Sequence, residues 1–377
     1  MRFLFAAGGT GGHINPALAV AGEIREKYPD SEILFIGTKD KMESKLVPQA
    51  GFDFATISIS GFQRKLSLKN LAKNIRTLFY LLTSSFQTKK IIRGFKPDVV
   101  IGFGGYVSGP VLRCAYKMGI PTAIHEQNAF PGVTNKALAK HVDRVMITVE
   151  SVRKYFDAKN ECILTGLPVR GEMLRADRDF SRAEMGIKDD EVLILSMGGS
   201  LGAKAINEAA VELVSKRADE KGYRFLHSMG RYGLWVPDRI KENGIDLDSH
   251  KNIEIREYIS DMDVCMSAAD IVVCRAGASS LSEIEALGKA SILVPSPNVA
   301  ENHQYHNAMA LVNNDAAVII EEKDLTGDRL IKEVDELVNN KEKREKIGNN
   351  ARAMAMINAK SKIAEIVVEL AKGKKDK

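Results

Sequence analysis

The chain lacks the features that mark several large protein classes. It has four cysteines in 377 residues, Cys114, Cys162, Cys265 and Cys274, and none forms a C-x-x-C pair. Neither a zinc ribbon nor a disulfide framework fits that spacing, and the four read as buried thiols of a cytosolic protein. Long apolar runs are also missing. A spanning helix needs about 18–20 apolar residues, whereas the stretch from Leu78 to Phe86 is short and broken by Thr83, Ser84 and Ser85. The opening run Phe3-Leu4-Phe5-Ala6-Ala7 ends at Gly8, too soon for a secretory signal, and reads as a buried strand. The net charge of +5 is too small to argue for nucleic acid unless it is clustered. The phosphate loop G-x-x-x-x-G-K-[ST] does not occur. The dinucleotide pattern G-x-G-x-x-G fails because position 14 is Ile14, and the second strand ends Ile36-Gly37-Thr38-Lys39, with no acid for an NAD ribose.

What is present is ordinary globular composition, 45% hydrophobic and 27% charged, in a chain long enough for two or three domains. Apolar runs ending in glycine alternate with helical patterns. Phe3–Ala7, Ile33–Ile36, Val99–Ile101 and Thr122–Ile124 read as strands covered on both faces, with helices such as Pro16–Tyr28 and Ser108–Lys117 between them. The pattern restarts with Val192–Ser196, Phe225–His227, Ile253–Ile255, Ile271–Cys274 and Ser291–Val294. Gly8-Gly9-Thr10-Gly11-Gly12 recurs half a chain later as Gly198-Gly199-Ser200-Leu201-Gly202, and the segment Asp98 to Gly105 is echoed by Asp270 to Gly277. The reading is α/β, two Rossmann-like parallel-sheet domains in tandem, with a boundary near Thr165–Pro168 and ligands beyond the carboxyl ends of the strands, in a cleft between the domains. The end of the chain, from Lys341 on, is helical and highly charged, with a disordered-looking tip at Lys372–Lys377.

Glycines between a strand and a helix let the backbone approach an anion at the helix N-terminus. Both loops fit that use, and both fit a tight turn with no ligand. Ser280 and Glu283 form an S-x-x-E pair, which reads as a helix capping box or as a carboxylate for the two hydroxyls of a nucleotide ribose.

Several segments taken together resemble one family. They are Gly8–His13, Gly104-Gly105-Tyr106-Val107-Ser108-Gly109-Pro110, His125-Glu126-Gln127-Asn128-Ala129-Phe130-Pro131-Gly132, Gly166-Leu167-Pro168-Val169-Arg170, Gly198–Ala203, Arg275-Ala276-Gly277-Ala278 with Ser282-Glu283, and Gln304-Tyr305 with Asn307-Ala308. In this order they resemble the MurG family of bacterial UDP-N-acetylglucosamine:lipid I N-acetylglucosaminyltransferases. The resemblance implies the GT-B fold and an inverting transfer of N-acetylglucosamine from UDP to the 4-hydroxyl of the muramyl sugar of lipid I, giving lipid II and UDP. It implies an acceptor and membrane domain over 1–165, a UDP-sugar domain over 166–352, and a helix over about 353–377 that returns to the first. The alternative within the same architecture is a UDP-N-acetylglucosamine 2-epimerase-like enzyme. Two positions depart from the family, Leu201 and His303, where glutamine is expected.

Single displacement needs a base on the acceptor hydroxyl and charge stabilisation on the departing UDP. The resemblance offers His13 and Glu126 as rival bases. It places Gly104, Gly105, Tyr106 and Gln127 on the acceptor side. It assigns Thr10, Gly11, Gly12, Asn128, Arg170, Ser200, Ala278, Ser279, Ser280, Glu283 and Gln304 to the donor, with the uracil against Ile259 and Met262. No Asp-x-Asp motif stands where a metal would hold the diphosphate, and the histidines and acids show no metal-ligand spacing. No obligatory metal or other cofactor is expected.

From Ala55 to Pro97 there is no Asp or Glu, while Lys69, Lys73, Arg76, Lys89, Lys90 and Arg93 interleave with Leu78, Phe79, Leu82 and Phe86. This reads as a basic amphipathic helix on an anionic membrane surface, or as a core helix with a solvated basic face. A lipid-linked acceptor favours the first. The expected location is cytoplasmic and peripheral on the inner face of the cell membrane, with no nucleic acid, and other cell-wall synthesis proteins are candidate partners.

Overall fold

The computed structural model describes residues 1–59, 83–156 and 161–373. Chain contacts divide it into two compact units, Met1–Pro168 together with the segment from Asn358 onward, and Val169–Ile357.

The first unit runs β1 (Arg2–Ala6), α1 (Gly11–Lys27), β2 (Glu32–Gly37), α2 (Glu43–Gln49), β3 (Asp53–Thr56), a helix α3 over 83–95, β4 (Val99–Gly102), α4 (Ser108–Lys117), β5 (Thr122–Glu126), α5 (Val133–Ala139), β6 (Arg144–Ile147) and β7 (Glu161–Leu164). Its seven strands are parallel in the order β3-β2-β1-β4-β5-β6-β7. Side chains alternate across the sheet. Phe3 and Phe5 enter one core with Phe35 and Phe103, while Leu4 and Ala6 enter the other with Val100 and Ile124. The central strands β1 and β4 are covered on both faces, so Phe3–Ala6 and Val99–Gly102 are apolar throughout.

The second unit runs α6 (Gly171–Arg175), α7 (Arg178–Glu184), β8 (Val192–Met197), α8 (Lys204–Arg217), β9 (Tyr223–Ser228), α9 (Val236–Glu242), β10 (Ile253–Arg256), α10 (Met262–Ala268), β11 (Ile271–Cys274), α11 (Ala278–Leu287), β12 (Ala290–Leu293), α12 (His303–Val312), β13 (Val318–Ile319), α13 (Gly327–Asn339) and α14 (Lys341–Met354). Its parallel sheet has the order β10-β9-β8-β11-β12-β13. The last helix, α15 (Ala359–Gly373), belongs to the first unit. Ile363, Ala364, Val367, Val368 and Ala371 enter the same core as α1.

The strand order reverses between β1 and β4 and again between β8 and β11. Loops that leave adjacent strands toward opposite faces open a crevice at such a point. All four glycine segments of the sequence repeat sit at these two reversals. That is why two Gly-rich motifs recur in each half.

Several expectations need correction. The helix expected to start at Pro16 begins at Gly11, so His13 lies in its first turn rather than in the preceding loop. The strands β3, β6, β7 and β13 add to those expected from the sequence. The terminal helix begins at Ala359 rather than near 353. Only Cys265 and Cys274 are buried; Cys114 and Cys162 are half-buried. Lys69, Lys73, Arg76, Leu78, Phe79 and Leu82, and the tip beyond Gly373, lie outside the described residues.

Candidate active site

In the first unit, the crevice is built by the loops after β1 and β4. Gly105 has φ +78°, and a Cβ there would collide with the Gly8 carbonyl. Only glycine permits the two loops to approach this closely. A Cβ at Gly104 would stand 2.8 Å from His13 Cδ2, so the imidazole lies against the Gly104 main chain. His13 Nδ1 is 3.1 Å from the Gly8 carbonyl and 3.3 Å from Thr10 Oγ1. A carbonyl only accepts, so Nδ1 carries a proton and donates to it. Tyr106, on the same crevice, is 61% exposed.

Loop amides serve different partners than anion binding requires. Gly9 N–H donates to Glu43 Oε2 at 3.1 Å. This amide of the first glycine loop is already taken by a buried carboxylate, which weakens the reading of the loop as an anion cradle. Its clear product is the placement of His13.

Glu126 and Gln127 are also built differently from their expected roles. Glu126, at the end of β5, is buried. One carboxylate oxygen accepts from Asn128 N–H at 3.0 Å and Asn128 Nδ2 at 3.3 Å, and the other from Asn135 Nδ2 at 2.8 Å and Gly132 N–H at 3.2 Å. Burial raises its carboxyl above the usual range against the pull of these bonds. The geometry makes Glu126 the organiser of the 127–135 loop, with its lone pairs spent on that loop. Gln127 is buried too, and its Nε2 donates to the Phe103 carbonyl at 2.9 Å, so it staples the β4 loop to the β5 loop. Its burial removes it from the surface that an acceptor would touch. His125 is fully buried and donates through Nε2 to the Gly166 carbonyl at 2.9 Å. Burial holds its pKa down at about 4, so it is neutral and structural.

In the second unit, a cavity of about 580 Å³ is lined by Gly198, Gly199, Gly202, Arg275, Ser280 and Gln304, among others. Gly202 has φ +81°, and a Cβ would strike the Met229 carbonyl. Ser200 and Leu201 lie exposed at the tip of this loop, with their carbonyls accepting from Arg231 and Tyr232 N–H. The α11 N-terminus opens onto the cavity. Gly277 is its N-cap, no side chain caps it, and no acid stands in its first turn. The amides of Ala278, Ser279 and Ser280 therefore form an unneutralised positive helix end.

This corrects the capping-box reading of Ser280 and Glu283. Ser280 is the third helical residue, not the cap. Glu283 instead accepts from Arg170 Nε at 2.7 Å and is largely buried. Arg170 thus meets the carboxylate assigned to the ribose. Gln304 Oε1 accepts from Ser296 N–H at 2.8 Å, which presents the amide nitrogen as its remaining donor group. His303 donates through Nδ1 to the Ala300 carbonyl at 2.8 Å and holds its own loop.

Not every expected donor residue joins the cavity. The Ile259 side chain is 2% exposed and packed in the core, so it offers no open face to a base. Met262 packs on that core, and neither residue lines the cavity. Lining residues missed from the sequence include Lys204, at the start of α8, and the Arg275–Glu322 ion pair. Lys204 carried a signal, a lysine directly after a glycine loop; the ion pair joins residues too far apart in sequence to be seen. Among the described residues, no group of three or more His, Cys, Asp or Glu forms a metal site.

Comparison with known proteins agrees with this architecture. Residues 3–147 match the glycosyltransferase family 28 N-terminal domain and residues 193–368 the glycosyltransferase family 28 C-terminal domain. The chain is 45% identical over 374 residues to the UDP-N-acetylglucosamine–N-acetylmuramyl-(pentapeptide) pyrophosphoryl-undecaprenol N-acetylglucosamine transferase of Acetivibrio thermocellus, covering 99% of each chain. It is 43% identical over 371 residues to the enzyme of the same name from Desulforamulus reducens, covering 98% of this chain and 99% of the relative. The crystal structure of Acinetobacter baumannii MurG superposes with a TM-score of 0.80 at 29% identity, covering 98% of this chain and 99% of that one. Full-length similarity of this order, on two matched domains with the GT-B pair of parallel sheets, shows that the chain belongs to glycosyltransferase family 28 and, within it, to the MurG transferases.

Proposed function

We propose that this chain transfers N-acetylglucosamine from UDP-N-acetylglucosamine to the 4-hydroxyl of the muramyl sugar of lipid I, forming lipid II and UDP in peptidoglycan synthesis. The observation that carries this is the 45% identity, end to end, with a transferase named for that reaction.

The geometry supports a division of labour. His13 Nε2 takes the acceptor proton, while the Gly8 carbonyl holds Nδ1–H and steadies the imidazolium that forms. The positive end of α11, the backbone of the Gly198–Gly202 loop and Lys204 stabilise the diphosphate as negative charge develops on it. Glu283 receives the ribose hydroxyls, and Arg170, drawn off Glu283 by them, turns to the phosphates. Gln304 Nε2 donates to the sugar. Ile259 contributes through its main chain. No step calls for a metal.

The exposed face of α3 carries Phe86, 75% exposed, with Lys89, Lys90 and Arg93. That face supports a peripheral site on an anionic membrane surface, where a lipid-linked acceptor is found. Among the described residues no helix is long and apolar enough to cross a membrane.

The test is UDP release from UDP-N-acetylglucosamine, with and without a lipid I analogue. Acceptor-dependent release with a disaccharide product is expected. Acceptor-independent epimer formation, or UDP binding without release, would refute the transferase.

A further inference from the structure

Glu43 belongs to none of the motifs read from the sequence, yet it is completely buried beneath the first glycine loop. Its carboxylate fills a socket formed by two glycines. A Cβ at Gly8 would stand 2.8 Å from Oε1, and one at Gly37 would collide with the Glu43 stem and with Phe54. In the socket, Oε1 accepts from Thr38 N–H at 3.0 Å and Thr38 Oγ at 2.7 Å, and Oε2 accepts from Gly9 N–H at 3.1 Å. All three donors are uncharged. Burying a carboxylate on neutral donors alone is costly, so, as at Glu126, it persists only where it fixes the groups that donate to it. An amide of the same shape fails as well, because its NH₂ would face a donor.

The Gly9 N–H and the Gly8 carbonyl belong to one planar trans peptide unit, so they point in opposite directions. Glu43 pulls on the N–H end. The carbonyl end is thereby aimed at His13 Nδ1, 3.1 Å away. An anion on the N–H also polarises the unit and makes the carbonyl a stronger acceptor. The result is a carboxylate–peptide–imidazole chain, with the peptide standing between the two side chains.

We propose that Glu43 is the positioning residue of His13: through the Gly8–Gly9 peptide it holds the Gly8 carbonyl on Nδ1 and so fixes the Nδ1–H form and the orientation of the ring. This rests on the reading of His13 as the base.

The experiment follows the His13 ring by NMR with ¹⁵N-labelled histidine and, in parallel, measures kcat and KM on the full chain. The unaltered protein is expected to show the Nδ1–H form. Glu43→Gln turns a donor toward Gly9; Glu43→Asp keeps the charge but draws the carboxylate back from the loop. Both are expected to shift His13 toward the Nε2–H form and to lower kcat by about tenfold or more, part of the ~10²–10⁴ supplied by a positioned base. The KM for UDP-N-acetylglucosamine should stay within about twofold, because the donor site lies on the second unit. If Glu43→Gln fails to fold by its thermal melt, Glu43→Asp decides. A wild-type tautomer and kcat in the folded variants, with His13→Ala inactive, would overturn this inference alone. An active His13→Ala would remove the base reading and this one with it.

Discussion

Several of the charged and polar residues singled out by motif turn out to be spent on nearby backbone. Glu126 binds two N–H groups and two side-chain amides of its loop, His303 binds Ala300, and Gln127 binds Phe103. What distinguishes His13 and Glu283 is that each keeps chemistry for a ligand. His13 is held through Nδ1 by the Gly8 carbonyl, and its ring lies against Gly104 in the crevice. Glu283 is paired with a half-exposed arginine that can leave it. Glu283→Gln keeps the shape but loses charge-assisted bonds worth about 1.5–3 kcal/mol. UDP affinity, measured by titration calorimetry, should fall on the order of tenfold to a hundredfold. An unchanged affinity would separate Glu283 from the ribose.

Elements rather than single residues set where these groups stand. The α11 N-terminus works because Gly277 caps it without a side chain and no acid occupies its first turn. On the first unit, α15 is clasped to α1 by Glu23, which receives Lys360 at 2.7 Å, Ser361 at 2.7 Å and Lys27 at 3.0 Å. Burial alone would raise the Glu23 pKa, but these bonds reverse that and hold it at about 2, against an ordinary 4.5. A depressed carboxylate pKa stabilises above its unfolded value and loses that stabilisation as pH falls. The protection factors of the α15 amides, taken relative to intrinsic exchange, should therefore be highest above pH 4.5 and fall as pH drops toward 2. Glu23→Gln should show fast exchange already at pH 7; protection equal to wild type would show that the apolar face of α15 suffices.

At the scale of the whole molecule, two separately packed units each place a glycine pair at a strand-order reversal. If the exposed basic face of α3 meets a bilayer, replacing Lys89, Lys90 and Arg93 with glutamine should weaken pelleting with anionic vesicles on the order of 100-fold, at about 1 kcal/mol per basic residue. Zwitterionic vesicles should bind weakly before and after. Unchanged pelleting would return α3 to the role of a core helix with a solvated face. If backbone amides, helix dipole and cations handle the diphosphate, turnover in excess chelator should equal that in magnesium. Loss in chelator with recovery on adding magnesium would overturn the metal-free reading.

Period and punctuation made the α/β class, the tandem repeat and the main strands legible in the chain itself. Apolar runs such as Phe3–Ala7 and Ile271–Cys274 are buried on both faces and need no partner to be recognised. The two glycine loops were legible for the same local reason, since a strand, glycines and a helix follow one another in sequence. What local order could not carry was the allocation of hydrogen bonds. Ser280 and Glu283 have capping-box spacing, but the helix begins at Ala278, and the carboxylate turns to Arg170, which stands far away in the chain. Ile259 looks like a platform for a base until packing closes its side chain into the core. Glu43 carries no motif at all. Its importance comes from burial beside Gly8, Gly9 and Gly37, and such contacts arise only when β1, β2 and α2 have packed together.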